Sequence, residues 1–190
     1  MKSQKIIIAL ALALSIVSCK KETKDPIVIK PRQTVLDSIQ RDFTETISNG
    51  SPGAYAVGYD FYVTSNGVID QLALCTPSIG TYKVILVNTD TDAEDSVSIN
   101  ITAADTGKTI FKGITPMTVN AGNYFRLTFN DLDKPQYQYL RTDGMDQVYG
   151  NIDLRWYVFQ AQATSSTIDG AFGHSQDYTF GGVGCTFVKD

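Results

Sequence analysis

Residues 59–75 read YDFYVTSNGVIDQLALC, which is two hydrophobic segments separated by Ser65-Asn66-Gly67. Aromatic and β-branched residues, which are common in β-strands, fill the first segment. Asn-Gly favours a tight hairpin turn because both residue types tolerate positive φ. The stretch therefore predicts two consecutive strands joined by a short turn.

The same pattern of short strands and turn residues continues towards the C-terminus. Alternating or β-rich segments predict further strands over residues 81–87, 97–102, 124–129, 152–158, 178–180 and 183–188. No long segment has a convincing helical period, so the chain is expected to be all-β, an antiparallel β-sandwich of roughly eight to ten strands. The expected core comprises Phe61, Val63, Leu74, Val84, Leu86, Ile99, Phe125, Leu127, Leu154 and Trp156.

Three segments of this region resemble a bacterial domain of unknown function that occurs in secreted and surface proteins, often beside carbohydrate-active modules. They are FYVTSNGVI (61–69), GTYKVIL (80–86) and VNAGNYFRLT (119–128). That domain shows, in the same order, a Ser-x-Gly-x-Ile strand, a Gly-x-Tyr-x-Val-x-Leu strand and an Ala-Gly-x-x-Tyr-type strand. The resemblance covers about residues 55–128 and implies a jelly-roll-like sandwich, without an activity or site residues.

The N-terminus has the features of a secretory signal. Lys2 and Lys5 come before an apolar run over residues 6–17, which is shorter than the roughly 20 helical residues that span a hydrocarbon core. Ile16-Val17-Ser18-Cys19 resembles the lipobox of bacterial lipoproteins. The resemblance implies that residues 1–18 are a signal peptide and that Cys19 receives acyl chains such as palmitate, which anchor the protein in the membrane.

The charged residues of segment 19–32, with Pro26 and Pro31, predict a flexible tether behind the lipidated cysteine. Residues 33–190 have the length of a single β-sandwich domain. By resemblance to lipoprotein sorting in Gram-negative envelopes, Lys20 after the cysteine favours the outer membrane. The periplasmic and surface faces of that membrane remain alternatives.

Charge and motif content exclude several function classes. Without Lys2 and Lys5, 14 basic and 20 acidic residues give a net charge of −6, which argues against nucleic acid as a partner. The single histidine, His174, lacks an accompanying Gly-x-Ser-x-Gly motif, and the ligands of a structural zinc site are absent from the sequence. We therefore expect no catalytic residues, no cofactor and no metal centre. The acidic stretch 90–95 is interpreted as a solvated loop, with calcium binding as the alternative.

Two cysteines remain besides Cys19. Cys75 and Cys185 both lie in predicted strands of an exported chain, where disulfides persist. They are either a disulfide between neighbouring strands or two buried thiols that act as small apolar residues.

Tyrosines supply the candidate ligand-binding residues. Tyr137, Tyr139 and Tyr149 fall in a polar region between strands, and Tyr157 alternates out of phase with Trp156. Exposed rings stack on sugars or on a partner's side chains, whereas buried rings close the end of the sandwich. We expect a non-enzymatic, lipid-anchored binding module for a glycan or an envelope protein. The alternative is a structural or accessory lipoprotein of an envelope complex.

Overall fold

The computed structural model describes residues 32–34, 36, 44–48, 54–132, 134–140, 147–161, 173–175, 178–180 and 182–190. The predicted signal peptide and residues 19–31 of the predicted tether lie outside this set. The described residues fold almost entirely as antiparallel strands, which confirms the all-β prediction. Among them, no helix has the length and hydrophobicity needed to cross a bilayer.

The described residues contain fourteen strands. They are β1 (Arg32–Thr34), β2 (Thr44–Ser48), β3 (Ala54–Val63), β4 (Gly67–Cys75), β5 (Gly80–Asn88), β6 (Ala93–Ile101), β7 (Ile110–Val119), β8 (Tyr124–Leu132), β9 (Gln136–Leu140), β10 (Gln147–Tyr149), β11 (Ile152–Ala161), β12 (Gly173–Ser175), β13 (Tyr178–Phe180) and β14 (Gly182–Lys189). Every predicted strand coincides with one of these. The number exceeds the expected range because six further strands were not predicted, namely β1, β2, β7, β9, β10 and β12.

Eight of the strands form a jelly roll. One sheet has the order β1-β14-β4-β7, and the other contains β3-β8-β5-β6. The first strand pairs with the last, and the pairs then move inward along the chain as β3–β8, β4–β7 and β5–β6. A long antiparallel hairpin wound over two sheets in this way is a jelly roll, so the jelly-roll-like expectation is confirmed.

The remaining strands extend this framework. β10 and β11 continue the second sheet beyond β3, and β12 pairs with β11, so that sheet has seven strands. A separate three-stranded sheet has the order β13-β9-β2. β1 begins at Arg32, which is the last residue of the segment predicted as a tether.

The core lies between the inner faces of the two large sheets. Alternate residues of each strand point into it, as period-two geometry requires. Nine of the ten expected core residues are buried, namely Phe61, Val63, Leu74, Val84, Leu86, Ile99, Phe125, Leu127 and Leu154. The side chain of the tenth, Trp156, lies outside the described set.

Strand β7 was not predicted, because it contains Gly113 and Pro116, which are poor strand formers. It lies at the edge of its sheet, where proline is tolerated. Its register jumps between the pairs Ile69–Met117 and Gln71–Gly113, so residues 114–116 form a bulge. The Thr115 amide in the bulge donates to Asp95 Oδ2 of β6 at 3.0 Å. This cross-link closes one side of the sandwich and blunts an edge that would otherwise pair with another chain.

Candidate functional site

The three candidate tyrosines whose side chains the structure describes do not form an exposed platform. Tyr157 is buried in the core, and Tyr137 and Tyr149 are partly buried and pack against it. Tyr137 belongs to β9, which is paired on both sides, by β2 and by β13, rather than to an open loop. The side chain of Tyr139 lies outside the described set. The expectation that Tyr157 faces a ligand is therefore wrong, and Tyr137 and Tyr149 contribute to packing.

A β-bulge explains the burial of Tyr157. The register of β11 against β3 shifts between Leu154 and Trp156, which leaves Arg155 as an extra residue. Because one extra residue reverses the alternation, Leu154 points inward before the bulge and Tyr157 points inward after it. Trp156 then pairs with Asp60, which belongs to the outward-facing series of β3.

The two cysteines are not bridged. In the paired strands Cys75 lies opposite Gly182, whereas Cys185 lies opposite Leu72. Three residues of offset correspond to about 10 Å, beyond the roughly 7 Å between Cα atoms that a disulfide spans. Their side chains also point to opposite faces, since Cys185 lies in the core cluster next to Leu72. Both are buried thiols, so the disulfide interpretation is wrong.

Thiol titration checks this arrangement. We expect the exported chain carrying Cys19→Ala, handled without reductant, to show almost no reaction with a thiol reagent when native and two thiols when denatured. Burial raises the pKa of Cys185 to about 12, so the reactive thiolate is scarce at neutral pH. Finding no thiol in the denatured chain would mean that a disulfide exists.

Two carboxylates of the acidic stretch 90–95 hold neighbouring backbone in place. Asp90 Oδ2 accepts hydrogen bonds from the Tyr124 amide at 2.9 Å and from Asn123 Nδ2 at 3.2 Å. Asp95 accepts from the β7 bulge. In the part of the chain that the structure describes, no group of three or more His, Cys, Asp or Glu side chains is arranged to hold a metal ion.

A polar cluster lies on the outer face of the seven-stranded sheet. We call it the tyrosine–arginine cluster, and it comprises Asp60 and Tyr62 of β3, Tyr124 and Arg126 of β8, and Asp153 and Arg155 of β11. It forms because the inward positions of these strands hold apolar residues, which leaves the alternate polar residues on the opposite face. Register brings them together, since Tyr62 pairs with both Tyr124 and Asp153 and Asp60 pairs with Arg126.

Asp60 is the buried centre of this cluster. Arg126 donates to it through Nε at 2.8 Å and through a terminal nitrogen at 2.9 Å, a bidentate ion pair. The Tyr124 hydroxyl donates to the same carboxylate at 2.9 Å. Burial and then the negative charge of Asp60 raise the pKa of Tyr124 well above its ordinary value, so the hydroxyl stays protonated and remains a donor.

Tyr62 connects this centre to the second ion pair. Its ring centroid lies 4.5 Å from that of Tyr124 on one neighbouring strand, and the Arg155 guanidinium lies over the Tyr62 ring at 5.2 Å. Arg155 also donates to Asp153 Oδ2 at 2.9 Å. The other carboxylate oxygen, Asp153 Oδ1, is buried and has no hydrogen-bond partner. An acceptor in that condition costs free energy, because it has lost its contact with water without gaining a donor.

These groups suit recognition of a polar ligand. Rings that are partly exposed, a guanidinium and a carboxylate acceptor are held rigidly by mutual contacts, as in preorganised binding sites. Sequence reasoning missed the cluster. Asp60, inside the aromatic segment 59–63, was a signal for it, because an aspartate needs a partner when it is buried.

Comparison with known proteins found no matching family model and no matching curated protein.

Proposed function

We propose that the chain is a lipid-anchored envelope protein whose jelly roll is a non-enzymatic glycan-binding module, with the tyrosine–arginine cluster as its site. The observation that carries the proposal is the partly exposed Asp153–Arg155 pair, which lies beside the Tyr62 ring. A sugar hydroxyl is a donor for a carboxylate and an acceptor for a guanidinium. One hydroxyl-rich ligand therefore satisfies both groups.

The arrangement favours binding over catalysis. Asp60 already accepts from Arg126 and Tyr124, so its carboxylate is engaged in holding the site together. The cluster has no nucleophile paired with a base in the manner of hydrolases. The single histidine, His174, lies in β12 and pairs with Val158 of β11. Its register partner is therefore not one of the cluster residues of β11, which are Asp153 and Arg155.

Asp153→Asn tests the site. We expect it to weaken binding of a glycan roughly tenfold or more, because a hydrogen bond to a charged acceptor is lost. The melting temperature should change little, since the Asp153–Arg155 pair is partly exposed. Affinity is measured by calorimetry with glycans that first bind the unmodified protein on an array.

Asp70→Asn is the matched control. Asp70 forms a similar pair with Arg32, at 2.9 Å, but on the other sheet. Glycan affinity should be unchanged in this variant. Equal losses in the two variants, or binding that survives Asp153→Asn, would contradict the proposed site. A protein that binds no glycan at all would instead favour the structural or accessory role in an envelope complex.

The anchor is tested separately. We expect Cys19→Ala to abolish incorporation of a fatty-acid probe and to release the protein from membrane fractions, because the lipobox-like sequence places the acyl chains on that thiol. Metabolic labelling and fractionation measure both effects. Label that persists in the mutant, or protein that stays in the membrane fraction, would rule out Cys19 as the anchor.

A further inference from the structure

The tyrosine–arginine cluster continues into a line of side chains that crosses four strands. Val148 of β10 pairs with Asp153 of β11, which pairs with Tyr62 of β3, which pairs with Tyr124 of β8. Residues directly opposite each other in a sheet share a face, so these four side chains form what we call the transverse row. Three strand spacings make it about 14 Å long, which is more than one sugar ring.

An exposed apolar side chain stands at one end of this row. Val148 is 61% exposed, so its methyl groups are open to contact with a ligand. It lies opposite Asp153, whose carboxylate is partly exposed, so an apolar contact and a hydrogen-bond acceptor are adjacent. The apolar face and the hydroxyl edge of a sugar ring are adjacent in the same way.

The surrounding sheet sets the direction of the ligand. Two positions further along the strands, Thr128 of β8 and Val158 of β11 are buried although they belong to the outward-facing series. The face is therefore covered on that side of the cluster. On the other side the strands end in turns at residues 64–66 and 120–123. A ligand longer than one ring fits across the strands, along the transverse row, rather than parallel to them.

The charges of the site indicate the chemical class of the ligand. Arg126 is paired with Asp60, and Arg155 is paired with Asp153, so the two cations are balanced by two carboxylates. An acidic sugar would approach carboxylates as well as guanidinium groups, in a chain that is already acidic overall. Balanced pairs bind hydroxyl groups without selecting for a charge.

We infer that the ligand is a neutral oligosaccharide that lies across the strands along the transverse row, with its apolar face on Val148. The inference rests on the proposed function and specifies its ligand. It predicts that an uncharged glycan of several units binds more tightly than acidic glycans and than single sugars.

Calorimetry with the full exported chain carrying Cys19→Ala tests this. The probes are neutral tetrasaccharides of glucose, mannose, galactose and xylose, the corresponding monosaccharides, and tetragalacturonate as an acidic chain of equal length. We expect at least one neutral tetrasaccharide to bind more tightly than its monosaccharide and than tetragalacturonate. Its Kd should change by less than about twofold between low and high salt, because no net charge is neutralised.

Val148→Ser tests the position of the ligand. We expect it to weaken tetrasaccharide binding about fivefold, since it removes apolar contact area. Ile79→Ser is the matched control, because Ile79 is 58% exposed but lies in the turn between β4 and β5, away from the row. That variant should bind as the parent does.

The outcomes separate the two proposals. Tighter, salt-sensitive binding of tetragalacturonate, or equal effects of Val148→Ser and Ile79→Ser, would overturn the neutral ligand along the row while leaving a glycan-binding function intact. If none of the probes of either charge class binds, the glycan-binding function fails and the inference fails with it.

Discussion

Replacing Arg126 with methionine is expected to lower the free energy of unfolding by about 3–5 kcal/mol. The carboxylate of Asp60 is buried, and the change removes the two hydrogen bonds that it accepts from the guanidinium. Methionine retains most of the apolar stem, so the loss reports on the charge rather than on packing. Urea denaturation followed by tryptophan fluorescence measures it.

Arg32→Met is the matched control, since it breaks another arginine–aspartate pair with similar geometry. The side chains of that pair are 50% and 22% exposed, compared with 18% and 1% for Arg126 and Asp60. Water screens the exposed pair, so its loss should cost less than about 1 kcal/mol. Equal effects of the two substitutions would show that removing Arg126 does not leave Asp60 as an uncompensated buried charge.

The strands around this ion pair illustrate what sequence can predict. The alternation of Phe125, Leu127 and Phe129 with polar neighbours identified both the strand β8 and its buried face. It could not identify Arg126 as the partner of Asp60, because the two are 66 residues apart and meet only through the register of β3 and β8. The same holds for the transverse row, which joins residues of four strands.

Strand β11 shows where alternation fails. Ile152, Leu154, Trp156 and Val158 continue an apolar period of two, which predicts one uninterrupted buried face. The bulge at Arg155 breaks that phase, and no signal in the sequence marks it, because Val158 is apolar and buried even on the outward face. Tyr157 was consequently assigned to the wrong side.

Phe125→Ala should produce a second large loss, about 3–5 kcal/mol of unfolding free energy. Phe125 is fully buried, and its ring stacks on that of Phe61 with centroids 5.3 Å apart. These two rings lie on neighbouring strands of the jelly roll, in the middle of the core. Truncation leaves a cavity that the paired strands β3 and β8 cannot close without losing their register, so relaxation recovers little of the lost energy.

Phe111→Ala separates this core effect from the general cost of removing a phenyl ring. Phe111 belongs to the edge strand β7 and is 40% exposed, so its truncation should cost about 1 kcal/mol or less. Both variants are compared by urea denaturation under the same conditions. If Phe125→Ala costs no more than Phe111→Ala, Phe125 does not pack in the interior, and the alignment of β3 with β8 that creates the tyrosine–arginine cluster on the opposite face is wrong as well.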